Sequence, residues 1–417
     1  MSNAIITPTR VVREGLVLLD NMLVFPKLVH TDYSDEFVAG TGDTVTIRRP
    51  VSYQGYESAT MSVSDTDEGS TTVSIDKWAG VAIQFTDKER TLSITDFRER
   101  FLVPAMRTIA NTIDRAIGAR IAGLWNHVGT VGNTIDSWAD FARGPQRLDE
   151  MAVPDSMRKA VLTSADAYAL AGSFNSVFVN NIAKSAIEEA EMPKMAGVDN
   201  VYRSQNVPTV TTGTRVNGAG LLTNGAAQTS AYSAVKSTYK QNLICDGFAA
   251  GATVKAGEVF TLGTLASGMV AVNPVPSVVG SKPVLPYLQQ FVVNTDATAD
   301  GGGNITLDIS PPIITSGAEQ TVSMTSANTD GLNLVFIGAA STTIPLNAVF
   351  HKNAIAFVNR PLVMPAGVTE CARETHKGIS MRFAPVWDGV NSNQRWRLDV
   401  IYGVKTLDGR LGVRMNG

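Results

Sequence analysis

Four histidines, two cysteines and a scatter of carboxylates are the side chains with which this 417-residue chain could do chemistry. His30, His127, His351 and His376 lie far apart, and none falls in a zinc-ligand spacing. Cys371 and His376 are five residues apart, which could place a thiol near an imidazole. Nothing around them resembles a protease signature, and Cys371 follows a Pro365-Ala366-Gly367 turn, so a small buried thiol beside a surface histidine is the plainer reading. Asp296, Asp300 and Asp308 surround a triple glycine, but they lack the alternate-position spacing of a calcium loop and read as a solvated hairpin tip. Asn304-Ile305-Thr306 matches a glycosylation acceptor with no secretion signal to make use of it. No phosphate-binding loop, dinucleotide fingerprint or strand–turn–helix nucleophile elbow is present. The expectation is a protein that is not an enzyme and carries no cofactor or metal.

Composition narrows the class further. Lys+Arg 35 against Asp+Glu 38 leaves a net charge of −3, too balanced for a dedicated nucleic-acid binder. Apolar residues make up 44%, ample for a core, whereas charged residues make up only 18% against the ~25% typical of soluble chains. So few charges imply either much neutral polar surface or surface buried against other chains. Two cysteines exclude a disulfide scaffold. The start of the chain lacks the basic and apolar regions of a signal peptide, and the apolar run Leu16 to Phe25 is broken by Asp20. A soluble, intracellular protein of two or three domains is expected.

The elements follow from periodicity. Val12, Leu16, Leu19 and Leu23 recur at helical spacing after Pro8, with Pro26 as the stop, and predict a helix that is equally an arm packing on something else or a core helix, since no compact partner follows immediately. Thr44 to Arg48, Thr72 to Ile75 and Val81 to Phe85 alternate as strands, and between them Tyr53 to Ser70 is a long polar excursion. A lone two-stranded ribbon is marginal in water, so it should rest on another surface. Phe97, Phe101, Leu102, Met106, Ile109, Ile113, Ile117, Ile121 and Leu124 form one slanting stripe. That stripe predicts a helix of about 30 residues, ~45 Å long, with Pro104 bending it or marking its true start. Helices are then expected near 136–151, 164–170 and 177–191, with strands at 159–162 and 196–204. Residues 206–345 hold only five Lys/Arg and seven Asp/Glu, rich instead in Thr, Ser, Gly, Val and Asn in short alternating runs. They read as an all-β barrel or sandwich inserted in a mixed protein. Arg395 to Val404 is a long strand, and Asp408-Gly409 predicts a hairpin returning through Leu411, Val413 and Met415.

Several segments together resemble the major capsid (coat) protein of tailed double-stranded-DNA bacteriophages, in the podovirus branch with an inserted β domain. They are Gly42-Asp43-Thr44-Val45 through Arg49-Pro50, Ala196-Gly197-Val198-Asp199 through Asn206-Val207-Pro208, and Ala256-Gly257-Glu258-Val259-Phe260-Thr261. Leu288-Gln289-Gln290-Phe291-Val292-Val293, Phe350-His351-Lys352-Asn353-Ala354 and Leu398-Asp399-Val400-Ile401-Tyr402-Gly403 complete the set. The resemblance implies an α+β chain with the Hong Kong ninety-seven phage capsid fold. It divides the chain into an N-terminal arm (1–38), an extended β-ribbon loop (39–88), and a peripheral domain with its spine helix, Asp96 to about His127, leading into the axial domain (89–224). An inserted β domain (225–345) and the remainder of the axial and peripheral domains (346–417) follow.

What the resemblance further implies is a shell of hexamers and pentamers around packaged double-stranded DNA, built in the host bacterial cytoplasm. The implied partners are further copies of the chain, a separate scaffolding protein, a portal protein at one vertex, and DNA by weak non-specific contact, with no membrane. Relatives that crosslink covalently use a ribbon lysine, but Thr44 to Asp76 has none, and the arm begins almost at Met1 with no scaffolding segment before it. A non-covalent shell is therefore expected. Asp65, Asp67 and Glu68 near the ribbon tip, and Arg98, Arg100 and Arg107 at the spine-helix start, are the candidate inter-subunit contact. The rival readings are an adhesin or tail protein, which should be repetitive, and a hydrolase, which needs a convergent polar site.

Overall fold

The computed structural model describes residues 8–37, 42–55, 59–61, 63, 66–86, 98–173, 194–215, 217–275, 282–324, 329–365, 370–388 and 393–417. The helix expected at 177–191 and the expected start of the spine helix at Asp96 lie outside these residues. The chain divides into two compact units. The first comprises residues 1–45, 72–118 and 355–405, and the second comprises 46–71, 119–354 and 406–417.

In the first unit, helix α1 (Pro8–Met22) buries Val11, Val12, Leu16 and Leu19. Its partners are helix α2 (Val103–Gly118) and the strands Ala372–His376 and Ile379–Asp388. Each fully buried aliphatic side chain contributes ~1.5–3 kcal/mol, so the arm helix is part of a core. Gly15 allows the close approach, because a Cβ there would stand 2.9 Å from the Met381 methyl and 3.3 Å from the Met106 sulfur. α1 ends at Met22, earlier than Pro26, which sits in a separate 3-10 turn (Phe25–Lys27). The buried Asp114 of α2 accepts the backbone N–H groups of Val24 and Phe25, each at 3.2 Å. The sheet is antiparallel around the 14-residue strand Asn393–Thr406, which pairs with Lys77–Thr86 on one side and Ile379–Asp388 on the other. On its core face Trp396 meets Phe85 and Phe383 edge-on, at 5.4 Å each.

The long helix is shorter and less regular than its apolar stripe predicts. A π turn (Arg98–Leu102) leads into α2, and a 3-10 turn (Ala119–Gly123) ends the helical path. Pro104 sits at the second position of α2, where its missing N–H is tolerated. Asn126–Val128, expected at the end of the helix, is instead a fully buried strand parallel to Gly412–Met415. A stripe of Ile121, Leu124 and Val128 satisfies either structure, and tertiary pairing decides.

The second unit joins a mixed sheet to a barrel. The sheet runs Asn126–Val128, Gly412–Met415, Asn347–His351, Arg158–Leu162, Asn200–Arg203, so the strand expected over 196–204 is only four residues long. Helices α3 (Trp138–Glu150) and α4 (Ser164–Ser173) contribute Phe141, Leu148, Ala167 and Leu170 to its core. Arg158, 2% exposed, is held by Asp149 at 2.7 Å and Asp155 at 3.0 Å and donates to the carbonyls of Val153 and Pro154. The β-rich segment forms a six-stranded antiparallel sheet in the order Leu334–Phe336, Val259–Leu262, Gln290–Val293, Ile305–Ser310, Gln241–Phe248, Asn217–Thr223. A bridge between Leu222 and Asn333 brings the two outer strands together and closes it into a barrel. Phe260, Phe291, Leu243, Leu307 and Ile309 fill the interior, with Phe260 and Phe291 stacked at 5.8 Å. Among its described residues the segment also holds a short helix, α5 (Tyr232–Val235).

The hairpin expected at Asp408-Gly409 does not form. Asp408 instead caps a 3-10 turn by accepting the Arg410 N–H at 2.9 Å, and Gly412–Met415 joins a different sheet from Asn393–Thr406. Aspartate and glycine serve a cap and a hairpin turn equally well.

Candidate assembly surface

The ribbon begins as a two-stranded sheet, Thr44–Arg48 with Ser70–Ser74, fastened by bonds from Ile75 N–H to Asp43 (3.0 Å) and from Arg49 N–H to Gly69 (2.8 Å). Beyond it Tyr53, Met61 and Val63 are exposed, Val63 by 78%.

Of the six charged candidates, Asp65 and the Arg98 side chain lie outside the described residues. Asp67 pairs with Lys236 of the same chain at 2.5 Å, and Glu68 pairs with Arg48 across the ribbon at 3.2 Å. Arg100 and Arg107 are exposed. Within one chain, Asp67 and Glu68 thus take partners other than the spine-helix arginines. Lys236 escaped notice in the sequence, although it is one of only five Lys/Arg between 206 and 345.

A second group escaped notice too. The outer face of the first unit's sheet carries Arg382, Arg395 and Arg397 around Asp399. Asp399, 1% exposed, accepts from Arg382 at 2.8 Å and Arg397 at 2.7 Å. Across the register lies Gly80, where a Cβ would come within 2.7 Å of the Asp399 carboxylate. Trp78 stands half exposed on this face, 5.9 Å from the Arg382 guanidinium and 5.5 Å from that of Arg397. The alternation Arg395-x-Arg397-x-Asp399 is a period-two signal that places all three on one side of a strand.

The buried titratable groups serve architecture. Gln290 of the barrel accepts the backbone N–H of His127 at 2.6 Å and donates to its carbonyl at 2.9 Å, stitching barrel to mixed sheet. Burial pushes the His127 imidazole down to about 4. Its Nε2 lies 2.9 Å from the Asn416 Oδ1, so the neutral ring donates there. Arg414 is fully enclosed, donates to the carbonyls of Gly257 and Ala122, and is pushed down to about 9 by desolvation. Glu258 meets Arg215 at 2.8 Å and accepts two backbone N–H groups, from Gly213 and Lys255, at 2.7 Å each. Burial raises Glu258 and lowers Arg215 despite their attraction.

None of this is arranged for catalysis. Residues 371–376 run extended into a strand, which sets Cys371 and His376 roughly 17 Å apart at ~3.4 Å per residue. Asp296, Asp300 and Asp308 each answer a different local partner: Lys255, the N–H groups of Gly302 and Asn304, and Lys240. The cavity beside Lys282, whose amine burial pushes down to about 8, measures only about 50 Å³, far below the ~300 Å³ of small-ligand sites. Among the described residues no cluster of His, Cys, Asp and Glu could hold a metal ion, and no helix is long and apolar enough to cross a membrane.

The decisive observation comes from comparison. The sequence profile described as P22 coat protein, gene protein 5, matches residues 3–417. The chain belongs to the P22 coat protein family. The coat protein is a structural protein of the tailed-phage capsid shell and not an enzyme. No curated protein matches it. Solved structures similar to it include one of Mycobacterium phage Che8, at 12% identity over 94% of this chain and 91% of that one, with a TM-score of 0.49. The capsid of cyanophage P-SCSP1u aligns at 11% identity over 95% and 89%, TM-score 0.45. The mature capsid of bacteriophage PhiM1 aligns at 10% over 94% and 86%, TM-score 0.44.

Proposed function

We propose that this coat protein assembles as hexamers and pentamers into the icosahedral shell that encloses the double-stranded DNA of a tailed bacteriophage. The observation that carries the reading is the unbroken family match from residue 3 to residue 417, which takes in arm, ribbon, spine helix, sheets and barrel together. The surfaces agree with it. An exposed ribbon bearing Tyr53, Met61 and Val63, and a sheet face bearing Trp78 and three arginines, are groups that a chain of so few charges leaves open for neighbours.

Assembly takes place in the host cytoplasm on a separate scaffolding protein, with a portal protein at one vertex. Thr44 to Asp76 of the ribbon lacks lysine, so the shell is held without covalent crosslinks. DNA is held weakly, because the chain carries −3 overall and no basic run of five or more. Between neighbours, the exposed Arg100 and Arg107 at the spine-helix start are open to an adjacent subunit, whereas Asp67 and Glu68 already pair with Lys236 and Arg48 of their own chain. Sedimentation of the purified protein tests the assembly step. Particles of megadalton mass in equilibrium with free subunits support the reading, and a fixed small oligomer at all concentrations contradicts it.

A further inference from the structure

An isolated two-stranded ribbon is barely stable in water, yet this one is held at a defined place on its own unit. Asp67 reaches Lys236, just beyond α5, with Oδ1 and Nζ 2.5 Å apart and each side chain about one-third exposed. Next to it, the Gly69 backbone lies so close to α5 that a Cβ would stand 2.7 Å from the Tyr232 hydroxyl and 2.6 Å from the Lys236 carbonyl. On the opposite leg the Arg49 guanidinium sits 4.5 Å over the Tyr239 ring and donates to the Leu407 carbonyl at 3.4 Å. The two legs are joined by the bond from Arg49 N–H to Gly69. Three unlike contacts on adjacent ribbon residues therefore converge on the loop that opens the barrel's strand Gln241–Phe248.

We infer that Lys236 and its neighbours Tyr232 and Tyr239 form an intrachain latch that fixes the ribbon, just beyond its two-stranded sheet, on the β domain before assembly and so sets where the exposed ribbon meets the next subunit. This gives the inserted domain a positioning role in assembly. The role rests on the shell reading above, whereas the latch itself is a property of the free subunit. The energetic logic is preorganisation. A ribbon that swings freely must be ordered at every subunit addition, at a cost in conformational entropy for each residue fixed. A latched ribbon has already met that cost during folding.

Zero-length carbodiimide coupling tests the latch in the full-length protein, because it joins a carboxylate to an amine only at ion-pair distance. An equal mixture of light and nitrogen-15-labelled free subunits is coupled and the peptides are identified by mass spectrometry. An Asp67–Lys236 amide carrying a single isotope supports the latch. Its absence, or mixed-isotope pairs, overturns it.

Charge exchange tests the positioning role. The variants Asp67→Lys and Lys236→Asp should each fold, by unchanged circular dichroism, and assemble about two- to fivefold more slowly, as befits a pair about one-third exposed. The double exchange should restore the rate. Single variants that assemble at the normal rate contradict the role, and so does rescue of Asp67→Lys by Arg98→Glu in place of Lys236→Asp. A wild-type protein that forms no shells would refute the shell reading while leaving the crosslink result to stand.

Discussion

Acidification tests how tightly the seam between barrel and mixed sheet is closed, because the His127 imidazole is buried beside the backbone bonds that Gln290 makes across it. His127 is 6% exposed, its ring nitrogen donates to Asn416, and the groups charged around it are Arg414 and Arg147. A proton on the ring would be stranded among cations, and burial holds the folded value at about 4 against 6.5 for a free imidazole. The sign follows from linkage. Between those values the unfolded chain binds a proton that the folded chain refuses, so stability is full above pH 6.5 and is lost as the pH falls toward 4. The difference of about 2.5 pKa units corresponds to ~3 kcal/mol at the acid limit and ~2 kcal/mol at pH 5.

The assay is urea denaturation of unassembled full-length subunits at pH 8, 6.5, 5.5 and 5, with wild type and His127→Gln side by side. Glutamine keeps a donor toward Asn416 but cannot titrate. His351, also lowered by burial, and Glu258, raised by burial and so acting in the opposite sense, cancel in the difference. The variant should be less stable at pH 8, and its deficit should shrink by about 2 kcal/mol at pH 5. A deficit that stays constant from pH 8 to pH 5 would refute the reasoning.

Three further outcomes are expected. Boiling mature shells in SDS should release a single band at the 44.4 kDa monomer, and a ladder of larger species would show a crosslink made without a lysine between Thr44 and Asp76. A β-domain fragment that includes Asn217–Thr223 should show a β-type circular dichroism spectrum and melt cooperatively, whereas one starting at 225 lacks the strand that closes the barrel through Leu222 and Asn333 and should melt lower; equal melting would mean that closure contributes nothing. Asp399→Ala should cost about 3–5 kcal/mol in urea unfolding, because it strands the nearly buried Arg382 without its carboxylate, and a loss below 1 kcal/mol would contradict the pairing.

Local pattern was legible and distant pairing was not. The stripe of Val12, Leu16 and Leu19 foretold α1 because an amphipathic helix is encoded within a few turns, and the alternation between 206 and 345 foretold β structure for the same reason. The end of the long helix was misjudged because Ile121 and Leu124 continue its stripe, while the strand at Asn126–Val128 exists only by pairing with Gly412–Met415 nearly 290 residues away. Asp408-Gly409 was misjudged because the two residues serve two different turns. Within the candidate site, the charges of Asp67 and Glu68 were visible but their partners were not. Lys236 lies 169 residues from Asp67, and nothing local to either points to the other. Arg395 and Arg397 were legible from their period of two with Asp399 along one strand and were overlooked beside the denser group on the helix, whereas Arg382 comes from the neighbouring strand.

Electron cryomicroscopy of particles assembled from the purified coat protein tests the central claim most directly. The expected images show closed polyhedral shells whose reconstruction under icosahedral symmetry resolves rings of five subunits at the vertices and rings of six between them, each subunit carrying its barrel and extended ribbon. Fibres, or discrete small oligomers without five-fold vertices, would contradict the account.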